Sequence, residues 1–171
     1  MAICDAVLRE SSIGMLATIP SLCQGLADIK APAKKSTGVI SMNLDADIIT
    51  VRPDVAIDTL QKLPNYVGIS SQTAGATGIS MNVVIIPAGA KAKPHYHEGF
   101  ETAIYILKGE VQTFYGENLA KSCINKQGDF LFIPAGVPHQ PVNLSPDTDA
   151  IALVARNDAN EQESVRPYQT T

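Results

Sequence analysis

The chain has 171 residues, 45% of them hydrophobic and 18% charged, which places it among globular chains with length for one buried core and excludes a disordered polymer. A formal net charge of −4 with no cluster of Lys and Arg argues against a nucleic-acid partner. No apolar run approaches the roughly 20 residues of a membrane helix, so no membrane partner is expected.

At the N-terminus, Asp5, Arg9 and Glu10 interrupt the apolar residues before a signal-peptide core can form. Cys4, Cys23 and Cys123 are odd in number and have no ligand-like or disulfide-like spacing. Free thiols in a reducing cytoplasm are the expectation. Ile3, Val7, Leu8, Ile13, Leu16 and Leu26 recur at loosely helical spacing within 2–26, and Pro20 should end or kink that helix. Residues 31–37, rich in Pro, Lys and Ser, read as a loop, and 47–51 reads as a strand closed by Arg52-Pro53.

From Gly68 the pattern changes. Short β-rich runs at 67–71, 78–86, 95–97, 102–107, 111–115, 119–124, 130–133, 140–143 and 150–155 alternate with Gly- and Pro-containing turns. No helical pattern interrupts them, so antiparallel hairpins in an all-β sandwich or barrel are predicted. This gives an irregular, partly helical N-terminal extension at 1–66 packing on the barrel, a barrel at 67–156 and a polar tail at 157–171 that wraps or frays. The aromatic residues Tyr105, Phe114, Tyr115, Phe130 and Phe132 are expected to fill the barrel or pack between its sheets.

All three histidines lie in this half. The spacing of His95 and His97 sends both imidazoles to one face of a strand, with Tyr96 opposite. Gly99 lets the chain bend so that Glu101 can enter the neighbouring strand beside them. His139 follows the rigid turn Pro134-Ala-Gly-Val-Pro138. Three imidazoles and a carboxylate form a mixed nitrogen and oxygen set suited to Mn, Fe, Zn, Ni or Co, with positions left for water or substrate.

The run Gly89…His95-Tyr-His97…Glu101…Gly109 resembles the first cupin motif, and Gly128…Pro134-Ala-Gly136-Val-Pro-His139…Asn143 resembles the second. The resemblance implies a cupin double-stranded β-helix, a jelly-roll barrel, with a metal on His95, His97, Glu101 and His139. Counted back from Gly109, the usual glutamate position holds Thr102, so Glu101 is one residue early; a bulge before Gly109 would reconcile the counts. Glu98, or a three-histidine site with water, are the alternatives. Asn143 reads as a structural strand-end residue.

The stretch 68–155 also resembles small bacterial cupins labelled predicted sugar-phosphate (mannose-6-phosphate) isomerases. The leading expectation is therefore a metal-dependent enzyme acting on a small oxygenated metabolite in the barrel. In an isomerase, Glu101, Glu98 or a tyrosine such as Tyr105 would move the proton. An Fe(II)-dependent dioxygenase and a non-catalytic small-molecule binder are the alternatives. A phosphosugar needs a cation in the cavity, for which Lys91, Lys93 and Arg156 are the nearby residues. Cupin relatives often dimerise, so a homodimer is expected.

Overall fold

The computed structural model describes Asn43, residues 46–160 and residues 164–171. Contacts divide the chain into two units, Met1–Asp45 and Ala46–Thr171, and every element below belongs to the second. The helix expected within 2–26 and the loop at 31–37 lie outside the described residues.

Among the described residues eleven strands follow in order: β1 Ile57–Asp58, β2 Pro64–Ile69, β3 Ser80–Ile86, β4 His95–His97, β5 Thr102–Lys108, β6 Glu110–Tyr115, β7 Lys121–Lys126, β8 Phe130–Ile133, β9 His139–Asn143, β10 Ala150–Arg156 and β11 Val165–Pro167. A single helical turn, α1 (Ser71–Ala74), sits between β2 and β3 and is closed by a capping box between Ser70 and Thr73. All strand pairs are antiparallel. They form a six-stranded sheet, β1-β2-β3-β10-β5-β8, and a five-stranded sheet, β11-β4-β9-β6-β7. The all-β expectation holds, with each of the nine expected runs from 67 to 155 lying on or overlapping a strand. Among the described residues no helix is long and apolar enough to cross a membrane.

The core lies between the two sheets. Leu63, Ile86, Ala92, Ile106, Val111, Ala150, Ala152 and Val154 form one buried cluster, each large aliphatic member contributing about 1.5–3 kcal/mol. Two glycines permit close approaches. A Cβ on Gly68 would stand 2.6 Å from the Met81 carbonyl oxygen, where the β2–β3 register shifts between Val67 and Ile69. Gly109 turns β5 into β6 at φ 83°, with a Cβ position 3.0 Å from Ala150.

Several expectations need correction. Residues 47–51 are irregular, and Ile48 is 99% exposed: a β-branched run without a ladder partner among the described residues does not become a strand. The six-stranded sheet recruits β1 and β2, so the β-rich unit begins before residue 67. Of the two alternatives for the C-terminal segment, wrapping holds at Val165–Pro167, where β11 pairs along β4. Phe130 and Phe132 do not fill the barrel. They are 82% and 59% exposed, because Leu131 and Ile133 take the inward positions of β8 and alternation turns the phenylalanines out.

Candidate metal centre

The strand period places His95 and His97 on the inner face of β4, and β9 delivers His139 directly opposite His95. All three are buried. Ring centroids are 4.3 Å apart for His95 and His139, 5.2 Å for His95 and His97, and 5.3 Å for His97 and His139. One ring nitrogen from each lies within 4.8 Å of the others.

The surrounding backbone aims these rings. With Nδ1 protonated, His95 donates to the Lys93 carbonyl at 2.7 Å, and His139 donates to the Val137 carbonyl at 2.9 Å. That tautomer leaves each Nε2 lone pair free to ligate. The Gly136 N–H donates to the His97 carbonyl at 2.9 Å, tying the Pro-rich turn before β9 to β4. On its other side β4 is held by β11, with Val165 opposite His97 and Pro167 opposite His95. Asn143 closes the far end of β9: its Nδ2 donates to the carbonyls of Ile86, Pro87 and Thr148, and its Oδ1 accepts from the Ser145 N–H. It is a structural residue, as its position in the sequence suggests.

Burial depresses the imidazole pKa values from 6.5 to about 3 for His95, about 2 for His97 and about 4 for His139. Desolvation is the largest cause in each, and the Arg156 guanidinium lowers all three further. The rings are therefore neutral at ordinary pH, the state a metal ligand needs. The buried Nε2 of His97 has no hydrogen-bond partner within the protein. Three converging neutral imidazoles, one with an unpartnered buried nitrogen, fit a divalent transition metal.

The structure does not bring Glu101 to this group. Glu101 is exposed, and its backbone N–H donates to Asn157 Oδ1 at 2.9 Å. Thr102, 1% exposed, takes the inward position and lines the cavity with the three histidines. A bulge does exist in β5, at Leu107, where the register against β10 shifts between Ile151 and Ala152. It lies on the Gly109 side and leaves Thr102, Ile104 and Ile106 facing inward. Glu98 is also outside, paired with Arg166 at 2.9 Å on an exposed edge. Tyr105 alternates with the inward residues of β5 and stacks on Phe130, centroids 4.7 Å apart, away from the cavity. Lys91 and Lys93 are exposed. Gln140 is turned from the cavity and donates to the Ala92 carbonyl at 2.7 Å.

The cavity between the sheets has a volume of about 70 Å³. Apolar walls come from Val84, Ile104, Ile106, Leu131, Ile133 and Val154, with Arg156 and Thr102 beside the histidines. Arg156 had a legible signal. Ala150, Ala152 and Val154 mark the inner face of β10, and residue 156 continues that period.

Residues 82–156 match the cupin domain family. The solved structures most informative for comparison share its fold. The polyketide cyclase RemF from Streptomyces resistomycificus aligns at TM-score 0.54 and 24% identity, over 71% of this chain and 78% of that one. An uncharacterized Klebsiella pneumoniae protein with a double-stranded β-helix domain aligns at TM-score 0.53 and 15% identity, over 67% and 91%. Bacillus subtilis oxalate decarboxylase, studied for its Mn(II) centres, aligns at TM-score 0.56 and 16% identity, over 66% and 29%. The chain thus spans less than a third of the oxalate decarboxylase sequences it resembles. These identities establish the cupin double-stranded β-helix and nothing finer. No curated protein matches the chain.

Proposed function

We propose that this protein is a metal-dependent enzyme in which His95, His97 and His139 hold a divalent transition metal against a small oxygenated metabolite in the cupin barrel. The carrying observation is the convergence of three buried, neutral imidazoles on one point. A bound ion supplies Lewis acidity to a substrate carbonyl or hydroxyl. The backbone carbonyls of Lys93 and Val137 fix the rings of His95 and His139, and aliphatic side chains make up much of the lining around them. The Mn(II) centres of a structurally similar decarboxylase support the same general reading.

Among candidate reactions, sugar-phosphate isomerisation has the resemblance in its favour, but the cavity lining contains neither Asp, Glu nor Tyr to act as base, and neither Lys91 nor Lys93. Chemistry centred on the ion and needing no protein carboxylate, such as Fe(II)-dependent dioxygenation, has more support from this lining. Elemental analysis of gently purified protein tests the metal reading. Near-stoichiometric transition metal is expected, with loss in the double variant His95→Ala, His97→Ala; no retained metal and no uptake of Mn(II), Fe(II) or Zn(II) would overturn it. Oxygen consumption by the Fe(II)-loaded protein with small diols and diketones supports dioxygenation. Interconversion of aldose and ketose phosphates without oxygen supports the isomerase, and ligand retention without turnover supports a binding protein.

We also infer a homodimer in the cytoplasm. The outward-facing Phe130 and Phe132, with Tyr105 against Phe130 and the exposed Leu107, give the six-stranded sheet an apolar outer edge that a second copy would cover. Cys123 is a free thiol, consistent with a reducing compartment. Light scattering behind size exclusion is expected to give twice the chain mass, and half that value for Phe130→Glu.

A further inference from the structure

The segment that leads into β2 lines the cavity with alternate side chains. Thr59, Gln61, Leu63 and Asn65 are buried and belong to the lining, whereas Leu60 and Lys62 between them are exposed. A tight turn fixes this arrangement. Lys62 takes left-handed backbone at φ 64°, its N–H donates to the Thr59 carbonyl at 3.0 Å, and the Thr59 hydroxyl donates to the Leu63 carbonyl at 3.0 Å. The same turn is joined to the histidine wall. The Lys93 N–H donates to the Gln61 carbonyl at 3.0 Å, and the Lys93 carbonyl accepts from His95 Nδ1 at 2.7 Å. One residue thus ties the backbone of Gln61 to the ring of His95.

Two amide side chains of this segment are left with bonds to make. Asn65 is 2% exposed, and its Oδ1 has no hydrogen-bond partner. Gln61 is 6% exposed, and its side chain makes no hydrogen bond among the described residues. Buried amides are ordinarily satisfied, so two such groups lining one cavity mark a place for a polar guest. Charge narrows the class of that guest. Among the described residues the lining holds no Asp, Glu or Lys, and Arg156 already holds an interaction. The groups open to a guest are therefore neutral. An amide donates and accepts without carrying charge, which matches a hydroxyl, itself both donor and acceptor. Thr102, in the same lining, adds a neutral hydroxyl that is also unpartnered.

We propose that Gln61 and Asn65 form a recognition site for the hydroxyl groups of a small uncharged molecule held in the cavity that His95, His97 and His139 also line. This rests on reading the cavity as a substrate site, and it names the substrate class: a neutral hydroxylated compound and not a phosphorylated or carboxylated one. A hydroxyl of the guest donates to Asn65 Oδ1, and the Gln61 amide takes a second hydroxyl or carbonyl oxygen. A guest without hydroxyls leaves the buried amides unpaired, and a charged guest finds no counter-charge that is not already engaged.

Nuclear magnetic resonance titration of the full chain with dihydroxyacetone, acetone and dihydroxyacetone phosphate tests this, with metal-free and Zn(II)-loaded protein titrated separately. The three compounds share a ketone and differ in hydroxyls and charge. Dihydroxyacetone is expected to bind both forms, and acetone and the phosphate to bind at least about tenfold more weakly. Gln61→Met and Asn65→Leu should each weaken dihydroxyacetone several-fold toward the level of acetone. Zn(II) stoichiometry should not change in Gln61→Met, because the link from this turn to His95 runs through backbone atoms. Equal binding of dihydroxyacetone and acetone by the wild-type protein overturns the proposal without reference to any variant. A preference for the phosphate overturns it too, as does undiminished binding of dihydroxyacetone by Gln61→Met. If the protein takes up no metal yet binds dihydroxyacetone through Gln61, the recognition site stands and the metal reading falls. If it takes up Zn(II) and binds none of the three compounds, the recognition site falls and the metal reading stands.

Discussion

The two walls of the cavity are finished to different degrees. On the five-stranded sheet, backbone carbonyls orient His95 and His139, the Pro-rich turn is tied to the His97 carbonyl, and β4 is braced by β9 and β11. On the facing six-stranded sheet, Thr102, Ser80 and Asn82 are equally buried but leave polar atoms unpartnered. The first arrangement costs little to hold in the absence of a ligand, apart from the desolvated imidazoles and the unpartnered Nε2 of His97. The second carries buried polar atoms without a partner, which cost stability as they stand.

The largest expected effect comes from protons. The folded pKa values of the three imidazoles lie below the unfolded value of 6.5, so the unfolded chain binds more protons as the solution becomes acidic. Their neutral state in the fold carries no pH penalty above about 6.5. Stability is then lost as pH falls from 6.5 toward about 3, where His95 itself titrates. Urea unfolding of metal-free protein between pH 7 and 4 should show stability falling steeply, with uptake approaching about three protons on unfolding near pH 5. A flat profile would mean that the imidazoles are hydrated and the wall is not preorganised. Next in size, Asn143→Ala should cost about 1–3 kcal/mol, since it strands the buried carbonyl of Ile86 and removes the part-buried bonds to the Pro87 and Thr148 carbonyls at the end of the strand that carries His139. Denaturant melts of that variant measure it.

The imidazole wall was legible in the sequence, and the facing wall only in part. A His-x-His pair on a short strand and a histidine after a Pro-Ala-Gly-Val-Pro turn are local patterns, and local patterns survive translation into structure. The interior alternation of Ala150, Ala152, Val154 and Arg156 was equally present, but its meaning depended on which face of β10 turns inward. The choice of Glu101 followed ligand chemistry, which favours a carboxylate over a hydroxyl, whereas strand parity follows the backbone and puts Thr102 inside and Glu101 outside. The pairing of β11 with β4 joins segments separated by some seventy residues without a turn signal, so spacing could not reveal it. The outward phenylalanines of β8 show the converse: a large apolar residue is no guide to the interior when its neighbours in the strand are also apolar.

Thr102 faces the cavity that the three histidines also line, and its replacement tests that position. Thr102→Glu would put a carboxylate beside the imidazoles and should raise Mn(II) affinity by about tenfold or more, because affinity rises with the charge of the ligand set. Glu101→Ala should leave Mn(II) affinity unchanged within about twofold, because the side chain is exposed and outside the group. Metal-buffered titrations of the three proteins give the comparison. Loss of metal in Glu101→Ala would return that carboxylate to the site.

The smallest expected effect is at the outer edge of the imidazole wall. Glu98 follows His97 directly and pairs with Arg166 of β11 at 2.9 Å, but both side chains are largely in water. Such pairs contribute about 0–1 kcal/mol and are screened by salt. The β4–β11 contact has stronger supports, because the Glu98 N–H donates to the Ser164 carbonyl and the Tyr168 N–H to the Pro94 carbonyl, on either side of the histidine pair. Glu98→Gln should therefore shift the urea midpoint only slightly at low salt, show no shift at about 1 M salt, and leave metal content intact. A fall in metal content would assign Glu98 a part in the site. A salt-independent loss of stability would mean that the side-chain pair, and not the backbone ladder, holds the histidine strand in place.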